Sequence, residues 1–64
     1  MTTDDRIDMM DSKIKEIKKA ADEIERLGSD IEAIKKNLVR LRASIKMLEL
    51  NVSDVRMVMQ YPDT

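Results

Sequence analysis

Apolar side chains recur at alternating spacings of three and four residues over the second half of the chain. The positions are Ile31, Ile34, Leu38, Leu41, Ile45, Leu48, Val52, Val55 and Met59. A mean apolar spacing of about 3.5 residues lets helices bury a narrow seam against one another by left-handed supercoiling. The pattern therefore predicts a coiled coil over this half.

A second heptad segment precedes the first, but the two do not share a full register. Its apolar positions are Ile7, Met10, Ile14, Ile17, Ala21 and Ile24. One ladder of seven-residue steps runs unbroken through both segments, from Met10 to Met59. The other seam shifts, because Ala21, Ile24 and Leu27 follow one another at two consecutive spacings of three. This arrangement is a stammer, which locally overwinds a coiled coil.

Two structures explain the stammer and the glycine that follows it. In one, a continuous helix absorbs the stammer in a tightened turn, and Gly28 costs only about 1 kcal/mol. In the other, the helix stops. Gly28 is then a left-handed C′ residue, Ser29 begins a capping box with Glu32, and two hairpins pair into a four-helix bundle. Because one ladder crosses the break, we expect a single helix from about Asp4 to Gln60, ended by Pro62.

The flanking positions indicate how many helices associate. The positions that flank the seam usually carry charges in a dimer, but here they include the small or uncharged residues Asn37, Ser44 and Val58. Ile also occurs at both the a and the d positions of the seam, which disfavours a parallel dimer. The predicted fold is all-α, a long parallel homo-oligomeric coiled coil with a tetramer favoured over a trimer. Its expected oligomer core is Ile7, Met10, Ile14, Ile17, Ala21, Ile24, Leu27, Ile31, Ile34, Leu38, Leu41, Ile45, Leu48, Val52, Val55 and Met59.

The same patterns divide the chain into three parts. Residues 1–5 form a frayed polar N-terminus, residues 6–60 the coiled-coil oligomerisation domain, and residues 61–64 a C-terminal tail. The domain consists of a first heptad segment (6–24), a stammer or kink (25–29) and a second heptad segment (30–60).

Composition limits the classes of function. A chain of 64 residues is short for a self-sufficient core, so burial must come from association between chains. Without Cys or His, disulfides and the usual zinc sites are excluded, and no cofactor or metal is expected. No apolar run approaches the roughly 18 residues of a membrane span. We expect a soluble cytoplasmic oligomer, or a piece of a larger protein, with no membrane partner.

Charged clusters favour solvated surfaces over chemistry. The chain carries a basic band of Lys35, Lys36, Arg40, Arg42 and Lys46. It lacks an aromatic platform, so nucleic acid is not the expected partner. An acidic cluster of Asp4, Asp5, Asp8 and Asp11 suits the start of a helix. A coiled coil offers grooves rather than a water-excluding pocket, so we expect no enzyme.

A second apolar stripe follows the last third of the chain, off the predicted seam. Exposed apolar stripes often mark contact with a partner protein. A wider core or scattered surface residues are the alternatives. The candidate partner stripe is Val39, Ala43, Met47, Leu50 and Met57.

Residues 30–59 resemble a known family over about half the chain. The residues that carry the resemblance are Asp30-Ile31-Glu32-Ala33-Ile34-Lys35-Lys36, Arg40, Ser44-Ile45, Leu48-Glu49 and Ser53. They are similar, without gaps, to the phosphoprotein multimerisation domains of paramyxoviruses, morbillivirus-like members especially. That family forms long parallel four-stranded coiled coils with a local heptad break. The resemblance implies a polymerase cofactor that tethers the viral polymerase to the nucleocapsid, in the host cytoplasm and the virion.

Gly28 and the more charged first segment depart from the family pattern. Two classes of function therefore stay open. The first is a non-enzymatic homo-oligomerisation module within a larger viral phosphoprotein. The second is a small adaptor or regulator, a rod or a helical hairpin dimer, that binds another protein through its apolar stripe.

Overall fold

The computed structural model describes residues 2–60, and the secondary structure of this part of the chain is two helices joined by a turn, without strands. Helix α1 spans Thr3–Leu27 and helix α2 spans Glu32–Gln60. The two helices pack against each other as an antiparallel hairpin. The expectation of one continuous helix is therefore wrong for this structure, because the chain reverses between α1 and α2. The predicted tail at residues 61–64 lies outside the described residues.

Helix α1 begins with a capping box. The Thr2 hydroxyl accepts a hydrogen bond from the Asp5 backbone N–H at 3.1 Å, and the Thr2 N–H donates to the Asp5 carboxylate at 3.3 Å. Each bond satisfies a backbone donor near the start of the helix, where the helix itself supplies no acceptor. Residues 3–5, expected to be frayed, consequently belong to α1.

The turn at residues 28–31 directly follows the stammer, whose residues all lie in α1. The Gly28 N–H donates to the Ile24 carbonyl at 2.8 Å, and the Ile31 N–H donates to the Gly28 carbonyl at 3.0 Å. The backbone of Gly28 has φ −111° and ψ 24°, so it is not left-handed as the hairpin alternative assumed. The capping box from Ser29 does not form either, since α2 begins at Glu32 and its first turn is closed by the Lys35 N–H donating to the Ile31 carbonyl.

Gly28 is required for space rather than for backbone conformation. A Cβ atom at this position would lie 2.9 Å from Cγ2 and 3.4 Å from Cβ of Ile34, and 3.3 Å from the Ile24 carbonyl oxygen. A contact of 2.9 Å is well inside ordinary carbon–carbon separation. The missing side chain lets the end of α1 approach the first turn of α2.

The core is a single line of residues between the helices. From α1 it takes Ile7, Ile14 and Ala21, each at most 5% exposed. From α2 it takes Leu38 and Ile45, with the half-buried Ile34 and Val52 packed against them. Seven-residue spacing, which is that of a heptad seam, relates the α1 residues to one another and Leu38, Ile45 and Val52 in α2, whereas Ile34 lies four residues before Leu38. The two helices bury different seams of the predicted pattern, which is the structural consequence of the stammer.

Ion pairs close one side of the hairpin, which we call the ion-paired flank. Glu49 pairs with Lys18 at 3.0 Å, and Arg56 pairs with Asp8 at 3.0 Å. Arg42 bridges two carboxylates of α1, Asp22 at 3.0 Å and Glu25 at 3.2 Å. Exposed pairs of this kind contribute about 0–1 kcal/mol each, so they favour this antiparallel pairing only modestly.

The hairpin is one layer of helices. Its Cα atoms extend over 52 × 21 × 11 Å. The radius of gyration is 15.1 Å, whereas a compact chain of this length is expected near 11 Å. A single layer covers only one stripe of each helix, and stable domains usually need two packed layers.

Candidate functional site

The side of the hairpin opposite the ion pairs carries six apolar residues, which we call the apolar flank. Each follows a core position by three residues, whereas Lys18, Arg42 and Glu49 follow core positions by four. At 3.6 residues per turn, a step of three rotates by about −60° and a step of four by about +40°, so the two sets lie on opposite flanks. The apolar flank consists of Met10, Ile17 and Ile24 from α1 and Leu41, Leu48 and Val55 from α2.

These six side chains are neither buried nor fully exposed. Their exposed fractions lie between 38% and 45%. Towards the open end of the hairpin three of them, Met10, Leu48 and Val55, border an open groove of about 440 Å³ with an almost wholly apolar lining. Met10, Ile14, Leu48, Val52 and Val55 contribute to that lining. A groove lined in this way lacks the convergent polar groups that orient a small-molecule ligand.

The predicted oligomer core is thus divided among three environments in the hairpin. Seven of its residues form the line between the helices, and six form the apolar flank. The other three, Leu27, Ile31 and Met59, are exposed by 71%, 49% and 37%. Burial of the second and third groups between chains stays a prediction.

The five residues predicted as a partner stripe, which we call the outer stripe, all lie exposed on α2. Val39 is 70% exposed, Met57 61%, Met47 57% and Leu50 48%. Met9 and Val58, which were not predicted as part of this stripe, are also more than half exposed. Met9 borders the apolar groove beside Met10, which is a seam residue. Its position next to Met10 in the sequence is the signal that could have identified Met9 as part of this apolar surface.

The basic band is divided between paired and unpaired residues. Lys35 pairs with Glu32 of its own helix at 3.2 Å, and Arg42 pairs with α1. Lys36, Arg40 and Lys46 have no ion pair with any residue from 2 to 60. They are the positive charges of the band that remain available to another molecule.

The acidic residues near the N-terminus cap α1 and form ion pairs within α1 and between the two helices. Asp5 completes the capping box, Asp8 pairs with Arg56, and Asp11 pairs with Lys15 at 3.6 Å. Within the described residues no group of acidic side chains is arranged to hold a metal ion. In the same part of the chain, neither helix has the length and hydropathy needed to cross a membrane.

Comparison with known proteins supplies no relative. No model of a protein family matches the sequence, and the searches of curated proteins and of solved structures found no significant match. The resemblance of residues 30–59 to viral multimerisation domains consequently stays a prediction.

Proposed function

We propose that this chain is a non-enzymatic homo-oligomerisation module in which two hairpins pack through their apolar flanks into a four-helix bundle. The observation that carries the proposal is the apolar flank itself, a continuous face of six large side chains beside a thin core. Packing a second layer of helices on this face gives the architecture of a four-helix bundle.

The surface area supports the same proposal. The chain exposes 5433 Å², whereas a compact monomer of its mass is expected to expose about 4,200 Å². The excess is comparable to the roughly 800 Å² per partner that a stable protein–protein interface buries. Small residues beside the flank, Ala20 on α1 and Ser44 on α2, leave room for a second hairpin to approach closely.

Mass measurement at several concentrations tests this proposal. The chain mass is 7.4 kDa, so the paired hairpins have twice that mass and are expected to dissociate on dilution. Leu48→Gln places an amide in the interface and should shift the protein to monomer. Met47→Gln is the matched control, because Met47 is similarly exposed but lies on the outer stripe. Equal masses for both variants and the wild type would contradict the use of the apolar flank.

A second candidate is the long parallel four-stranded rod, with the tethering role that the viral resemblance implies. One observation favours it. The ladder that is unbroken in sequence lies on the exposed flank at Met10, Ile17 and Ile24 but in the core at Leu38 and Ile45. In a continuous helix the whole ladder would form one seam. The turn at residues 28–31 would then become helical, and the same residues would oligomerise within a polymerase cofactor in the host cytoplasm.

Small-angle X-ray scattering distinguishes the two assemblies. The hairpin is 52 Å long, and pairing side by side adds little to its length. A continuous helix over the same residues would be about 85 Å long at 1.5 Å per residue. We expect a maximum dimension close to the hairpin length and twice the chain mass. Four times the chain mass at the longer dimension would establish the rod instead.

A further inference from the structure

The outer stripe is a feature of α2 that α1 does not share. In α2 it consists of Val39, Ala43, Met47, Leu50 and Met57. Three of these residues, Ala43, Leu50 and Met57, follow core positions by five. On α1 the positions that follow core residues by five are Ser12, Lys19 and Arg26. The outer surface of the hairpin is therefore polar on one helix and apolar on the other.

The outer stripe is separate from the apolar flank. A step of five residues from a core position rotates by about +140°, and a step of three by about −60°. Val39, Ala43, Leu50 and Met57 thus lie about 160° from the apolar flank around α2, and Met47, two residues after Ile45, lies about 100° from it. A second copy of the hairpin seated on the apolar flank leaves the outer stripe uncovered.

The charges beside the stripe indicate what kind of molecule covers it. Lys36 lies three residues before Val39, and Lys46 lies four residues before Leu50. Arg40 lies three residues before Ala43. Side chains three or four residues apart are neighbours on a helix surface. None of these three cations is paired with a described residue.

We propose that residues 36–50 of α2 dock an acidic amphipathic helix of another protein. Val39, Ala43, Met47 and Leu50 would contact its apolar face, and Lys36, Arg40 and Lys46 would pair with carboxylates along its edges. Amphipathic helices bind such surfaces through apolar anchors spaced by three and four residues. Complementary charge sets the orientation and suppresses other partners.

A membrane surface fits this face less well. Helices that lie on membranes present bulky Trp, Phe and Leu residues beneath a basic face. The outer stripe contains no aromatic residue, and Asp54 lies between Leu50 and Met57. A protein partner of acidic character is therefore the occupant that the surface favours.

Binding of a synthetic helix to the whole chain tests the proposal. The probe is a labelled peptide of about 18 residues with Leu at helical spacing and Glu on both edges. The matched control peptide carries Lys in place of Glu. Fluorescence anisotropy should show saturable binding of the Glu peptide and none of the Lys peptide. Joint replacement Lys36→Glu and Arg40→Glu should weaken binding about tenfold or more, whereas Lys19→Glu on the outer face of α1 should not.

Three results would overturn this inference. The Glu peptide fails to bind the wild-type chain saturably, or Lys19→Glu weakens binding as much as the double replacement. Alternatively, the chain binds vesicles containing phosphatidylserine more tightly than the peptide, which would assign the face to a membrane. The inference is independent of self-association. Mass measurement on the same variants reports the apolar flank separately, and both replacements should leave the mass unchanged.

Discussion

Gly28 shows how a single residue selects between a turn and a continuous helix. Its backbone dihedral angles are open to any residue, but the space beside it is occupied by Ile34. Inside a helix, in contrast, glycine is less favourable than alanine by about 1 kcal/mol. Adding one methyl group at this position therefore acts in opposite directions on the two conformations.

We expect Gly28→Ala to destabilise the hairpin. Ile34 must move to relieve the contact at 2.9 Å, and a forced rearrangement in a packed site costs about 1–3 kcal/mol. Urea unfolding at fixed chain concentration measures the change. The control is the same substitution on an Ile34→Ala background, where the Cγ2 atom is absent and the effect should be smaller. A stabilised Gly28→Ala protein would instead indicate that the chain is helical through residue 28.

At the scale of the helices, the heptad pattern indicated helical sequence on both sides of a break but predicted one continuous helix through it. The heptad segments 6–24 and 30–60 overlap the two helices Thr3–Leu27 and Glu32–Gln60, and the break lies at residues 28–31, where a stammer or kink was expected at 25–29. Periodicity reports which face of a helix is apolar, so it fixes helical segments without long-range information. It does not report whether the break is a kink or a reversal. The local free-energy difference between a kinked helix and a chain reversal at glycine is only about 1 kcal/mol. Contacts between residues far apart in sequence therefore determine which of the two forms.

The ion pairs of the ion-paired flank are contacts between residues far apart in sequence, and the seam pattern did not reveal them. Lys18 and Glu49 are 31 residues apart in sequence and pair at 3.0 Å. The exposure of the outer stripe, in contrast, agrees with its position off the predicted seam. The apolar flank was predicted only as part of the oligomer core, since the hairpin divides each of the two seams between its core and its surface.

Exchanging the charges of Lys18 and Glu49 tests the hairpin at the level of its helices. Lys18→Glu alone places two carboxylates opposite each other, and Glu49→Lys alone places two ammonium groups there. Each should lower the free energy of unfolding, and the double replacement should recover about 0.2–1 kcal/mol of the loss. High salt should reduce this coupling. Additive effects would show that the two side chains do not meet in solution.

At the scale of the whole molecule, the small size and single-layer shape of the hairpin limit how much apolar surface one chain buries by itself. Among residues 2–60 the buried side chains are those of four Ile or Leu residues, each contributing about 1.5–3 kcal/mol of burial, and that of Ala21. This burial is small beside the conformational entropy lost on ordering two long helices. In the proposed pair of hairpins the apolar flanks would add burial, so stability would depend on association. Any measured melting temperature should consequently rise with chain concentration.

A distance measured between two labels on the same chain distinguishes the hairpin from the rod, and the result does not depend on how many chains associate. The sequence contains no cysteine, so Asp8→Cys and Arg56→Cys introduce unique sites for a fluorescent donor and acceptor. The native side chains of these residues touch at 3.0 Å, and an exposed ion pair contributes too little for its loss to unfold the protein. In a continuous helix the same positions, 48 residues apart in sequence, would be separated by about 72 Å. Diluting the doubly labelled chain into excess unlabelled protein removes transfer between chains. We expect high transfer efficiency that persists on this dilution, and transfer that disappears on dilution would establish that α1 and α2 form one helix.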